Sequence, residues 1–132
     1  MKSKIMLAAI LTVAVIFPAT AYAELADFSE LNGTFVDGDW FHKTQGTAKI
    51  EFSDQENPIL KLENFKTLNG PDLYVYLATD DKATDFVNLG RLQSSSGDQE
   101  YEIPAGTDLS KYNKVLIWCK AFSVLFGSAE LN

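Results

Sequence analysis

The sequence predicts an all-β domain: a single β-sandwich or small barrel of about seven to eight mostly antiparallel strands, following an N-terminal signal peptide. Three observations lead there. Val, Ile, Tyr, Phe and Leu recur in short runs, and clusters of Gly, Pro, Asn, Asp and Ser separate those runs. No helical period is sustained over a long window. After the first apolar stretch no second long one occurs, so the remaining chain reads as one domain without a linker.

Taken in order, the chain begins with Lys2 and Lys4, an apolar run from Ile5 to Phe17, the breaker Pro18, and Ala21-Tyr22-Ala23. This is the charged, apolar and small-x-small order of a signal peptide, with cleavage expected after Ala23. A membrane helix needs about 20 apolar residues, more than this run supplies. No cysteine closes the run, which argues against a lipid-anchored lipoprotein. Residues 1–23 are therefore expected to leave, and 24–132 to form a secreted or periplasmic β domain.

Within that domain Thr47 to Phe52 alternates, with Ala48, Ile50 and Phe52 on one face and Thr47, Lys49 and Glu51 on the other. Ile59 to Phe65 and Leu73 to Ala78 read as the next strands, separated by the turn signal Asn69-Gly70-Pro71-Asp72. Phe86 to Leu92, Gln99 to Ile103, Lys114 to Cys119 and Val124 to Leu131 complete the set. Leu109 to Tyr112 is expected to make one helical turn. In the last hairpin, period two places Val115, Ile117, Cys119 and Ala121 on one apolar face. Leu116, Trp118, Lys120 and Phe122 take the other.

Charge narrows the function classes. Removing Lys2 and Lys4 from eleven basic residues leaves nine against eighteen acidic ones, a balance of −9. Such a surface repels phosphate backbones and anionic lipid, so nucleic-acid and membrane-surface binding are disfavoured.

Cys119 is the only cysteine. Exported proteins usually pair their cysteines, so a solitary thiol is an inert core residue, an intermolecular bridge, or a reactive or ligating sulfur. Burial statistics favour the first; the oxidation liability of an unpaired thiol outside the cytoplasm argues for the last. Ligand counting restricts the cofactors. Beyond the signal peptide the chain has one cysteine, one histidine (His42) and no methionine. That is too few for an iron–sulfur cluster, a blue-copper centre or a structural zinc site built on nitrogen and sulfur. Covalent haem lacks its Cys-x-x-Cys-His motif. Non-covalent haem, held by one axial thiolate or imidazole, survives the count with Cys119 or His42 as ligand. Thiol redox chemistry at Cys119 survives too.

His42 lies in a loop after Trp40-Phe41 and reads first as a turn histidine hydrogen-bonded to backbone. Asp37-Gly38-Asp39 and Asp80-Asp81 lack the spacing of a calcium loop and read as solvated turns. Asn32-Gly33-Thr34 has the form of a glycosylation sequon.

A wider pattern runs through the chain. It comprises Gly33-Thr34-Phe35, His42, Gly46-Thr47-Ala48 and Leu62 with Asn64-Phe65. Gly70-Pro71-Asp72-Leu73-Tyr74-Val75-Tyr76-Leu77 and Leu89-Gly90 follow. Ile117-Trp118-Cys119, Phe122-Ser123-Val124 and Phe126-Gly127 close it. In these residues the chain resembles the DM-thirteen family, also called the electron-transfer DM domain, over nearly the whole of residues 24–132. The resemblance implies a β-rich extracytoplasmic module that stands elsewhere beside DOMON domains and b-type cytochromes. It also implies a redox role on the family's cysteine, here Cys119, as naked thiol or as ligand to a group such as haem. Standing alone, the domain would exchange electrons with a separate redox partner protein.

Three functions follow. The first is an extracytoplasmic redox or electron-transfer module using Cys119. The second is a non-catalytic binding or adhesion sandwich, with Cys119 as core filler and a pocket lined by aromatics such as Trp40, Tyr74 or Tyr76. The third is an enzyme with a Cys119–His42 dyad, which no nucleophile motif supports. An electron-transfer or binding module is thus favoured over an enzyme.

Overall fold

The computed structural model describes residues 9–15 and 30–132. Most of the expected signal peptide, with its cleavage point at Ala23, lies outside the described residues. Nine strands form two antiparallel sheets. They are β1 (Glu30–Thr34), β2 (Val36–Asp37), β3 (Thr44–Glu51), β4 (Ile59–Thr67), β5 (Leu73–Ala78), β6 (Phe86–Arg91), β7 (Gln99–Glu102), β8 (Lys114–Cys119) and β9 (Val124–Glu130). One sheet has the order β1-β3-β4-β7 and the other β2-β9-β8-β5-β6. No helix among the described residues is long and apolar enough to cross a membrane.

The sandwich core follows from period two. Ala48 and Ile50 of β3, with Leu60 and Leu62 of β4, face Val75 and Leu77 of β5 and Val115 and Ile117 of β8, all fully enclosed. The inward phase of β4 then slips. Gly46 and Asn64 both take positive φ, 110° and 50°, at a β-bulge between β3 and β4. The bulge turns Phe65 and Thr67 inward, where Phe65 meets Phe35 edge-on with ring centroids 5.4 Å apart.

Two strands were not legible beforehand, β1 and β2. Only Phe35 separates them, yet they belong to different sheets, so the chain crosses the sandwich edge at that residue. The edge closes on β9. Thr44 Oγ1 donates to the Phe126 carbonyl at 2.7 Å and shares a 2.7 Å hydrogen bond with Thr67 Oγ1. Gly127 makes room for this contact; a Cβ there would lie 2.8 Å from Thr44 Cγ2 and nearer still to its Cβ. At the opposite edge, the Gln93 amide donates to Tyr101 Oη (2.9 Å) and Gln99 Nε2 donates to the Ser94 carbonyl (2.9 Å).

The other boundaries match the expected strands to within a few residues, with two corrections. Phe52 does not join the face of Ala48 and Ile50. β3 ends at Glu51, and Phe52 is 44% exposed. Ala121 does not continue the inner face of Cys119, because β8 stops at Cys119 and Lys120–Ser123 form an exposed turn. Leu109–Lys111 form the expected turn, closed by the Tyr112 amide donating to the Asp108 carbonyl (2.9 Å).

Two outcomes test this frame. Gly127→Ala is expected to lower the unfolding free energy by about 1–3 kcal/mol in urea melts, because strand-borne Thr44 has little room to yield. The second concerns acid. Asp37 is held below its ordinary 3.8, first by the hydrogen bond from the Thr44 amide and then by Lys43. Asp80 is lowered by Thr84, and Asp85 by Lys111 and Tyr112. As pH falls, the unfolded chain therefore binds protons at these sites first. Their stabilisation is complete above the unfolded values and is lost as pH drops through the folded ones. The thermal midpoint should fall below about pH 4, and Asp37→Asn should lower it at neutral pH while making the acid decline shallower.

Candidate functional site

β8 is the middle strand of the five-stranded sheet, and its side chains alternate between two apolar environments. Val115, Ile117 and Cys119 point into the sandwich; Leu116 and Trp118 point to the sheet's outer face, where a second cluster gathers Tyr76, Ala78 and Leu116. Consecutive residues Trp118 and Cys119 thus lie on opposite sides of one sheet.

Cys119 is unpaired and 1% exposed. Its cross-strand neighbours are Leu73 of β5 and Val124 of β9, both part of the apolar core around it. It is also the last residue of β8. Directly after it the Lys120 amide donates to the Asp72 carbonyl at 2.9 Å, and the turn passes through Ser123 at φ 51°.

His42 lies elsewhere, in the loop between β2 and β3. Its Nδ1 hydrogen-bonds Asp39 Oδ2 at 2.7 Å, and its ring packs on Phe126 with centroids 4.5 Å apart. Asp39 Oδ1 also accepts from the Phe41 and His42 amides, both at 2.8 Å. The His42 side-chain hydrogen bond, followed by these amides, holds the Asp39 carboxyl below its ordinary value. The expected turn histidine is therefore present, but its ring partner is a carboxylate and not the backbone. No hydrogen bond joins His42 to Cys119 among the described residues, so no dyad is assembled in this arrangement.

Of the two candidate haem ligands, Cys119 is enclosed in the core and His42 is tied through Nδ1 to Asp39. Four clefts on the described surface have neither Cys119 nor His42 in their walls. A porphyrin could reach the sulfur only by displacing core side chains. The acidic pairs serve turns: Asp80 accepts from the Lys82 and Thr84 amides (2.9 and 3.2 Å), and Asp81 pairs with Lys114 at 3.3 Å.

Of the aromatics expected to line a pocket, Tyr76 does so and Tyr74 packs beside it. Trp40 does not; it is 74% exposed and leans on Phe41. The pocket is a cleft of about 630 Å³ on the outer face, walled by Tyr76, Phe86, Trp118 and Leu125. Lys82 and the Phe86 wall escaped the sequence reading, because neither the β5–β6 loop that carries Lys82 nor the start of β6 at Phe86 gives a sign of folding over the sheet. The outward phase of Trp118 and Lys120 was the available signal.

With this geometry in view, the chain was compared with known proteins. A family model described as Electron transfer DM13 matches residues 34–131. No match was found among curated proteins or among solved structures.

The enclosure of Cys119 sets an expected order of stability. Cys119→Ala should cost about 1 kcal/mol by leaving a small void, and Cys119→Ser should cost more by burying a hydroxyl among Leu73 and Val124. Urea melts of the two variants beside the parent check the order.

Proposed function

The chain belongs to the Electron transfer DM13 family, and from that membership we propose that it is an extracytoplasmic electron-transfer module whose redox group is the Cys119 thiol. The extracytoplasmic setting is supported by the charged, apolar and small-x-small order of residues 1–23. The observation that carries the choice of Cys119 is its place as the final residue of β8, directly before the exposed turn Lys120–Ser123. A strand end beside a short surface turn opens at lower free energy than a strand centre.

Opening of this hairpin end exposes the sulfur to a separate partner protein. The chemistry then needs no cofactor. The Cys119 thiolate attacks a partner disulfide, forming one sulfur–sulfur bond and breaking another, and a partner thiolate leaves. The pair of electrons passes to the departing sulfur. A dithiol of a second protein completes the transfer: one of its thiolates attacks the Cys119 sulfur and releases the acceptor's remaining thiolate, then its other thiolate closes the donor disulfide and frees Cys119, so two electrons pass from dithiol to disulfide.

A second reading is favoured by a specific observation. The 1% exposure of Cys119, together with an aromatic cleft on the opposite face, suits a non-catalytic binding sandwich with Cys119 as core filler.

Thiol labelling separates the two. With Ellman's reagent in increasing sub-denaturing urea, local opening predicts a labelling rate that rises with less than about half the slope of equilibrium unfolding. Labelling that follows the full equilibrium slope would show that the sulfur appears only on global unfolding, and the redox reading would fail. A Soret band in the native protein would replace the naked thiol by a haem centre.

A further inference from the structure

The outer-face cleft has features that a surface dimple lacks. The rings of Tyr76 and Phe86 are parallel within 10° with centroids 4.2 Å apart, and Trp118 continues the series 6.5 Å from Tyr76 at 27°. Three rings thus present nearly aligned planes, and Phe86 remains 42% exposed at the outer end. The volume of about 630 Å³ falls within the range of small-molecule sites.

The polar groups around the rings point to one class of ligand. Nine basic side chains lie in residues 30–132, and six of them form ion pairs. Of the three that do not, Lys66 is elsewhere, while Lys82 and Lys120 both wall this cleft. The cleft's one carboxylate, Asp81, is taken by Lys114. In a chain of net charge −7, two ammonium groups outside any ion pair, one of them Lys120 resting 5.5 Å over the Tyr74 ring, form a local reversal of sign beside an aromatic stack. Tyr76 adds a hydroxyl. The residue is 2% exposed and its Oη has no hydrogen-bond partner among the described residues. Yet no fully enclosed side-chain oxygen there is unpaired, so this oxygen must retain an opening. Tyr76 lines the cleft, which supplies that opening.

We propose that this cleft binds a planar aromatic anion. Its ring continues the Phe86–Tyr76–Trp118 stack, its acidic group lies between Lys82 and Lys120, and a polar substituent meets Tyr76 Oη. A saturated anion would lose the stacking, and a neutral sugar would leave both ammonium groups without a counter-charge. The proposal does not depend on Cys119.

Anthraquinone-2-sulfonate is a suitable probe, followed by tryptophan fluorescence in Trp40→Phe, where Trp118 is the only remaining reporter, and by calorimetry. Saturable quenching below about 1 mM is expected. Affinity should fall about tenfold in Lys82→Gln/Lys120→Gln and also in Phe86→Ala, and should weaken with salt. All three changes are on exposed side chains, so the variants should fold. Methanesulfonate and cellohexaose should not compete. Cys119→Ala should bind the probe as its parent does, so loss of the redox reading would leave this result standing. The proposal is overturned by absence of saturation, by affinity indifferent to both the lysine pair and Phe86, or by displacement of the probe with cellohexaose.

Discussion

Two-sided burial of the central strands is the constraint on which the rest of the molecule depends. β5 and β8 lie side by side in the five-stranded sheet, and neither has a solvated face. Their inner residues, Leu73, Val75, Leu77, Val115, Ile117 and Cys119, build the sandwich core. Their outer residues, Tyr74, Tyr76, Leu116 and Trp118, must also be covered, and the opposite sheet cannot reach them. Ala83 of the β5–β6 loop, Phe86 of β6 and Leu125 of β9 provide that cover only in part. What they leave open is the aromatic cleft. A sulfur enclosed on one side of β8 and an accessible indole on the other are consequences of one strand's pleat.

Closure of the sandwich edges explains why the inner face offers no comparable space. At one edge the chain changes sheets at Phe35, and Gly127 lets β9 settle against Thr44. At the other, Gln93, Ser94 and Gln99 tie the loop after β6 to β7. Both seams use hydrogen bonds that satisfy buried polar atoms, and no fully enclosed side-chain nitrogen or oxygen is left without a partner among the described residues. A core sealed in this way excludes water from Cys119. The two proposals, ligand binding in the cleft and thiol chemistry at Cys119, thus concern opposite faces of β8.

Much of this was legible in the sequence, and the failures have physical causes. Strands with clean alternation or strong apolar content, β3 to β9, announce themselves because their side chains meet a core on one face or both. β1 and β2 do not. Glu30-Leu31-Asn32-Gly33-Thr34 is an exposed edge segment, and its Gly33 is required by the close passage of the Glu130 carbonyl, a contact made by a residue far along the chain. The inner orientation of Cys119 and the outer one of Trp118 follow from period two, but the end of β8 does not. Ala121 would continue the pattern, and only the four-residue turn to Val124 stops it. His42 was correctly placed in a turn, whereas its carboxylate partner three residues earlier could be recognised only from loop geometry. Tyr74 and Tyr76, expected as pocket aromatics, alternate outward from the buried strand β5 and so gather at the outer face. Trp40 shares their chemistry but sits on a surface loop against Phe41.

The position of Cys119 along its strand matters more than its depth. Ile117 and Cys119 are both almost completely buried. The two differ in what must break to reach them. Ile117 is held within the ladders to β5 and β9, so exposing it dismantles the sheet. Cys119 pairs with Leu73 and Val124 at the ends of those ladders, and beyond it only the Lys120–Asp72 hydrogen bond and the turn hold the chain down. Ser123, a non-glycine residue at φ 51°, stores some strain in that turn. Opening there breaks fewer ladder contacts than opening at Ile117 would. The proposed redox role rests on this difference: it requires that Cys119 be reached at a local, not a global, free-energy cost.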